Sequence, residues 1–432
     1  LLVTILATSA IRLRLLSMPL ERDEGEYAYA GQLILQGHPP YERLYNMKWP
    51  GTYYCYALFE AVLGQRIEGI RLGVLAVNVA VIVLVFLICR RLLDASAAAV
   101  AAVTYAILSL SPGTLGFAGH ATHFVVLSAL AGILCLQRAW ERQRLGLYFL
   151  AGLFAGLAPI MKQPGIVFTG FVLTFWAWQE VRSARRDWGQ AMSRGGMLFG
   201  RDLAPLFVTL TSLWPTRREW RQTMARGAAL VAGIVTPFVV LFASLCATHT
   251  LSAFWLWTIS YARYYSEPLN GRVFPYFLES FSVVLGDGVL FWIVAGFGLL
   301  ALPFNPRTRA AAPFLLGLLI FSFVGVLPGL KFREHYFILM LPAVACLAGA
   351  AAFVVRQRLL PRFPQLATAS TVALVLIPLS TAFALEGPFY LWMTPEQACR
   401  HVYQENPFIE AVGVADYIRA RTSPDDCIAI IG

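Results

Sequence analysis

The chain has 432 residues, of which 58% are apolar, 13% aromatic and only 13% charged, and its net charge is +10; an ordinary soluble domain runs at about 45–50% apolar and about 25% charged. This composition excludes a soluble protein, and in a membrane protein a basic excess marks the cytoplasmic face rather than a nucleic-acid partner. The seven cysteines stand far apart with no C-x-x-C pair, which excludes a zinc knuckle or a dithiol redox motif.

About 20 apolar residues at 1.5 Å rise cross a hydrocarbon core of about 30 Å, and about 17 suffice. Eleven runs qualify: roughly 1–17, 72–89, 95–112, 122–137, 145–161, 164–179, 227–247, 288–303, 311–328, 335–355 and 365–386. An all-α polytopic bundle of about eleven transmembrane helices is expected over 1–386. Two shorter stretches, 203–214 and 251–262, would rise only about 18 Å as helices and read as interfacial. The sequence opens without Met on a short apolar run and closes on Cys-Ile-Ala-Ile-Ile-Gly. A fragment of a longer protein is expected, and no cleavable signal peptide can be read.

With the N-terminus inside, the cytoplasmic connections 90–94, 138–144, 180–226, 304–310 and 356–362 carry 19 Arg and 6 acids, while the outer ones carry 13 Lys or Arg and 18 acids. The reverse orientation would violate the positive-inside rule. All six His then lie on the extracytoplasmic side. The inner loops hold no glycine-rich phosphate loop and no nucleotide fingerprint, so any chemistry is expected on the outer face. The arginine-rich segment 180–226 suits an anionic inner leaflet, and the Trp- and Tyr-rich stretch 251–265 an aromatic belt.

The first outer connection, 18–71, holds E-R-D-E-G-E-Y-A-Y-A from Glu21. Four carboxylates beside a membrane are costly unless they are solvated or used. As local structure they read as a helix start, with Asp23 as N-cap, Glu24 and Glu26 in the first turn favouring the dipole, and Tyr27 in the aromatic belt. Further on, Met47-Lys48-Trp49-Pro50-Gly51 places a lone lysine beside a helix-starting proline. That cation is placed either to snorkel or to meet an anion.

Taken in order, D-E-G-E-Y-A-Y-A-G-Q-L-I-L-Q-G-H-P-P-Y (23–41), K-W-P-G-T-Y-Y (48–54), L-G-Q-R-I-E-G-I-R-L (63–72), L-A-G-L-F-A-G-L-A-P-I-M-K-Q-P (150–164) and F-R-E-H-Y-F-I-L-M-L-P-A (332–343) resemble the GT-C glycosyltransferases. Within that superfamily they look like the branch containing the protein O-mannosyltransferases and the lipid A aminoarabinose transferase. The resemblance implies an integral-membrane enzyme of a bacterial inner membrane. It would move a sugar from a polyprenyl-phosphate donor to a hydroxyl acceptor on protein, lipid or glycan at the extracytoplasmic face, with inversion. Its partners would be that donor, that acceptor and membrane lipids, with no nucleic acid; no required cofactor can be read, and a divalent metal is allowed but unsupported.

By the same resemblance Asp23 is the general base, with Glu24 the runner-up, and the low-dielectric membrane surface is expected to raise the carboxyl pKa toward the working range. Lys48 matches the family's Lys-Pro position and would hold the lipid phosphate, with Arg333 and His335 converging on it and Lys331 auxiliary. Tyr27, Tyr41, His120, His123 and Lys162 are candidate substrate contacts, and Arg71 is structural. Many relatives carry an acid where this chain has Gly119-His120-Ala121-Thr122-His123. His120 and His123 share a helix face, yet two imidazoles without a third ligand make no confident metal site.

Beyond the bundle, 387–432 reads as the start of a small extracytoplasmic α/β domain, with a helix over 409–421, a turn at Ser423-Pro424-Asp425 and a strand from Cys427. Cys399 and Cys427 share that tail, where a disulfide is chemically allowed. Two other functions compete. A lipid-linked sugar flippase predicts charge at the bilayer midplane, which the spans lack; an O-antigen ligase-like enzyme relies on a late outer loop rather than on acids in the first.

Overall fold

The computed structural model describes residues 1–198, 217–265, 273–423 and 426. Among them the elements are helices and no strand occurs. Helix α1 (Leu2–Arg14) leads to α2 (Arg22–Leu35) and α3 (Gly51–Leu63), which pack on one another. The bundle continues through α4 (Ile67–Leu92), α5 (Ala95–Leu108), α6 (Ala121–Arg142), α7 (Leu145–Met161), α8 (Ile166–Leu198) and α9 (Arg217–Ala247). Helix α10 (Leu251–Trp255) runs through a π turn, Leu256–Tyr261, into Ala262–Tyr265. There follow α11 (Val273–Leu285), α12 (Val289–Ala301), α13 (Pro306–Val324), α14 (Leu341–Leu359), α15 (Pro364–Leu391), α16 (Pro395–Tyr403) and α17 (Phe408–Arg419).

Every one of the eleven apolar runs falls on a helix. Among the described residues seven stretches are long and apolar enough to cross a membrane: Ile67–Leu92, Ala121–Arg142, Trp220–Ala247, Val273–Phe304, Pro306–Val324, Glu334–Leu359 and Pro364–Leu391. The protein is an integral membrane protein. The fourth stretch differs from the expectation, which took only its second half as spanning. Glu279 and Asp287 interrupt the apolar run, yet the short Gly286–Gly288 turn carries α11 directly into α12. Asp287 is buried there and accepts hydrogen bonds from Ser111 and Tyr390.

Small residues set the packing. The Glu334–Leu359 stretch is at the centre, its apolar window 94% buried against 17% for α15, because the run of Ala and Gly in α14 lets neighbours approach closely. Helices α7 and α9 meet backbone to backbone: a Cβ on Gly152 would lie 2.0 Å from the Leu230 carbonyl oxygen, and one on Gly233 2.0 Å from that of Phe149. The L-A-G-L-F-A-G-L-A motif therefore has a packing cause. From α1, the buried Arg12 donates to the carbonyls of Ser109, Gly116 and Phe117 at 2.9, 2.9 and 3.1 Å, fixing the loop before α6.

Helix α15 extends to Leu391, and Arg14 donates to the Phe389 and Met393 carbonyls, so the residues just past 386 are tied to the bundle. Helix α17 covers the helix expected over 409–421, and Cys399 is buried on α16. The expected strand from Cys427, the Pro424-Asp425 turn and the interfacial stretch 203–214 lie outside the described residues.

Candidate active site

Five segments converge at the end of the bundle that carries α2: the α2 N-terminus, the loop before α3, the α6 N-terminus, the turn between α7 and α8, and the Glu334–Met340 turn before α14. Helix α2 is capped by Glu21, not Asp23. The Glu24 N–H donates to the Glu21 carboxylate at 3.0 Å, and the Glu21 N–H to that of Glu24 at 3.3 Å, a reciprocal capping box. Asp23, in the first turn, is thereby spared from capping and pairs with Lys48 instead.

Lys48 reaches Asp23. Its Nζ lies 3.1 Å from Asp23 Oδ1 and 3.1 Å from Glu26 Oε2, and 4.6 Å from the centre of the Tyr27 ring. Tyr53 Oη donates to the other Glu26 oxygen at 3.1 Å. The lysine backbone is fixed as well: Tyr41 Oη donates to its carbonyl at 2.7 Å, and its N–H donates to Asn46 Oδ1 at 3.2 Å. Tyr41 holds this position with φ +71°, in the left-handed region, and is buried on Phe254. Both Tyr27 and Tyr41 are thus walls and props of the lysine in this structure.

The loop is pinned to the α7–α8 turn. Thr52 Oγ1 donates to the Met161 carbonyl at 3.0 Å, and Gly51 packs so closely that a Cβ would lie 2.6 Å from the Ile160 carbonyl oxygen. This brings in Lys162, whose Nζ lies 4.0 Å from the centre of the Tyr336 ring. From the other side, His120 at the N-cap of α6 stacks on His335 with ring centroids 4.1 Å apart and 12° between planes.

Glu24 has a different environment. It is fully buried, with Oε1 2.6 Å from Arg71 Nη1 and accepting from the Gly119 N–H at 2.6 Å. Arg71 also donates to the Pro19 carbonyl at 2.9 Å. This pair seals α2 to α4 and to the residue before His120. His123, one turn further along α6, is buried away from the Asp23 group. Arg333 is exposed at the N-cap of the Glu334–Met340 turn that carries His335, and Lys331 is half-buried beside it.

The electrostatics reverse one expectation. Burial alone raises Asp23, but Lys48 overcomes it, aided by His120 and Lys162, and holds the carboxyl at about 2. The same pairing raises Lys48 against its own burial. Burial pushes Glu21 up to about 7, with Asp23 adding to the rise. Burial brings Lys162 down to about 7 and His120 down to about 4, Asp23 opposing in both cases. Sequence reading missed Glu21, Glu26, Tyr53 and Tyr336. Glu26 carried a usable signal, since Asp23 and Glu26 are three apart on one helix.

This arrangement of helices and outer-loop helices is similar to the polytopic GT-C membrane fold. More narrowly, residues 40–199 match the family model described as dolichyl-phosphate-mannose-protein mannosyltransferase. The match takes in Lys48, His120, His123 and Lys162, and begins after Asp23.

Among solved structures, the chain is similar to ArnT from Cupriavidus metallidurans bound to undecaprenyl phosphate, at TM-score 0.54 and 16% identity over 98% of this chain and 81% of that one. It is also similar to the apo oligosaccharyltransferase of Archaeoglobus fulgidus, at TM-score 0.53 and 16% identity. The oligosaccharyltransferase AglB of the same organism, in complex with an inhibitory peptide and a dolichol-phosphate, matches at TM-score 0.51. These likenesses establish the fold; the chain, 98% covered, spans 58% of the archaeal enzyme's length. No curated protein matches it significantly.

Proposed function

We propose that the chain is a glycosyltransferase that moves a sugar from a polyprenyl-phosphate donor to a hydroxyl acceptor at the extracytoplasmic face, with inversion. The observation that carries this reading is the contact of Asp23 with Lys48 at 3.1 Å: a carboxylate able to take a proton beside a cation able to hold a phosphate. As the acceptor oxygen bonds to the anomeric carbon, its proton passes to Asp23. The bond from that carbon to the phosphate oxygen breaks, and the charge on the departing lipid phosphate is met by Lys48, supported by Lys162 and Arg333.

A base held at about 2 is weak. The incoming donor supplies the remedy, because a phosphate that draws Lys48 away from Asp23 removes the interaction that depresses the carboxyl. Glu26 keeps the ammonium in place meanwhile. An open apolar cleft of about 710 Å³, lined by Phe242, Cys246, His249, Leu251, Ser252 and Trp255, flanks the Tyr41–Phe254 contact and supports a path for the lipid chain.

The test uses protein in lipid nanodiscs, a panel of polyprenyl-phosphate sugars and acceptors, and mass spectrometry of released polyprenyl phosphate. Release from one donor that is lost in Asp23→Asn, with Lys48→Ala weakening donor binding, is the expected result. No release from any donor would remove this reading. Transbilayer movement of a labelled lipid without release would put a flippase in its place.

A further inference from the structure

The end of the bundle opposite the candidate site carries a second charged group. About 31 Å of α4 separate Arg71 from Leu92, and the Leu92 carbonyl accepts from Arg307 Nε at 3.2 Å. Arg307 and Arg309 lie in the first turn of α13, just after the Leu302–Phe304 turn that ends α12, and Arg358 lies in the last turn of α14. Arg309 Nη2 donates to the Pro303 carbonyl at 2.7 Å and Arg358 Nη2 to the Phe304 carbonyl at 3.4 Å, so two guanidiniums rest on consecutive carbonyls of one turn. Arg358 also lines an open apolar cleft of about 440 Å³ with Phe304, Val354, Val355 and Leu359. We propose that these three arginines and the cleft form a binding site for one anionic diacyl phospholipid.

Charge balance here is incomplete. Neighbouring arginines are neutralised, Arg356 by Asp94 at 3.1 Å and Arg91 by Glu141, whereas among the described residues Arg307, Arg309 and Arg358 meet backbone carbonyls and no carboxylate. A guanidinium carries five N–H donors, and a single carbonyl leaves most of them for another partner. Three like charges gathered around one turn repel each other, and the positive end of α13 adds to the same field. An anion relieves both, and the guanidinium fork suits two oxygens of a phosphate.

The cleft selects a lipid over a free phosphate. Phe304 is 62% exposed, and with Val354, Val355 and Leu359 it offers an acyl chain a wall that a headgroup alone leaves bare. A zwitterionic lipid would bring its own ammonium against the arginines, whereas basic pockets between spanning helices at the cytoplasmic side are where anionic headgroups bind. By the charge asymmetry of the chain this is that side. It lies a membrane's thickness from Lys48, so this lipid and a sugar donor at the candidate site do not compete.

The site is independent of the sugar-transfer reading and is tested with no donor present. The purified chain in nonionic detergent is titrated with dioleoylphosphatidylglycerol and, separately, with dioleoylphosphatidylcholine, and bound lipids are counted by native mass spectrometry. One phosphatidylglycerol per chain is expected, held more than about tenfold tighter than phosphatidylcholine. Arg309→Gln/Arg358→Gln keeps an amide donor for each carbonyl while removing both charges, and is expected to weaken phosphatidylglycerol about 25-fold, about fivefold per cation. Phe304→Gln, an exposed change that leaves the arginines in place, is expected to weaken it several-fold, and gives the deciding result if the double variant aggregates. Arg142→Gln/Arg144→Gln, at exposed arginines of the same end that stand outside the cleft, is expected to bind as the unaltered chain does. Equal affinity for the two lipids, full binding in the folded Arg309→Gln/Arg358→Gln variant or in Phe304→Gln, an equal loss in Arg142→Gln/Arg144→Gln, or displacement by equimolar sn-glycerol 3-phosphate would each overturn the proposal, the last by making the ligand a free phosphate.

Discussion

Asp23 and Glu24 are neighbours in the chain and meet different surroundings. Glu24 is sealed against Arg71, both side chains at 2% exposure or less, so Arg71→Ala strands a buried carboxylate. A loss of about 3–5 kcal/mol is expected, seen as a lower melting temperature in detergent. Asp23→Asn leaves Lys48 on Glu26 and is expected to melt nearly as the unaltered chain does; an equal fall in the two variants would show that Asp23 also holds the fold. Glu21 gives a pH test. Its carboxyl sits at about 7 against the usual 4.5, so between those values the folded chain keeps a proton that the unfolded chain has released. Stability on its account is full below 4.5 and declines as pH rises through 7. Glu21→Gln keeps a capping oxygen and is expected to flatten the melting profile over that window and to exceed the unaltered chain above pH 7. An unchanged slope would assign the dependence to another group. The sequence placed Asp23 and Lys48 in one loop, but the cap came from Glu21 because Glu-x-x-Glu closes reciprocally, a geometry that the cap ranking of single residues does not convey.

At the scale of elements, the spanning helices were legible because continuous apolar length is a strong signal that needs no periodicity. The less visible parts were those in which backbone meets backbone. Nothing in Gly152 or Gly233 as letters says that their helices touch, and the family-like glycine motif acquired its physical meaning only from the contact of α7 with α9. Gly152→Leu is expected to separate these helices and to yield protein that aggregates on size-exclusion chromatography, whereas Gly146→Leu, where an added Cβ meets nothing within 4 Å, elutes as the unaltered chain does. Normal elution of both would mean that the helices part without penalty. Likewise, the α11–α12 stretch was read only over its second half, 288–303, although the helices run on from Val273. Buried partners for Asp287 cannot be seen from a hydropathy sum.

For the molecule as a whole, the charge asymmetry predicts an orientation. A cysteine placed at Arg43, in the loop before Lys48, is expected to react with an impermeant maleimide added to intact cells, and one at Arg142 only after lysis, with the exposed Cys246 replaced by serine. The reverse pattern would put the candidate site on the cytoplasmic face. The order of motifs anticipated which segments would gather at one end, since each lies between spans on the same side. It did not anticipate their pairing. Lys48 lies 22 residues from Glu26, and His120 meets His335 rather than His123, because helices distant in the chain are neighbours in the bundle.

On the function proposed above, the double contact of Lys48 also sets which anions can enter. A newcomer must displace a carboxylate that is already in place, so dilute phosphate arriving from bulk water competes poorly with Asp23 and Glu26. A phosphate anchored in the bilayer next to the loop is presented at an effective concentration of the order of millimolar, and it does not have to be captured from three dimensions. On that proposed function the resting ion pair would act as a filter on delivery, discriminating between two sources of one headgroup by how each reaches the site, with no contact to the tail required.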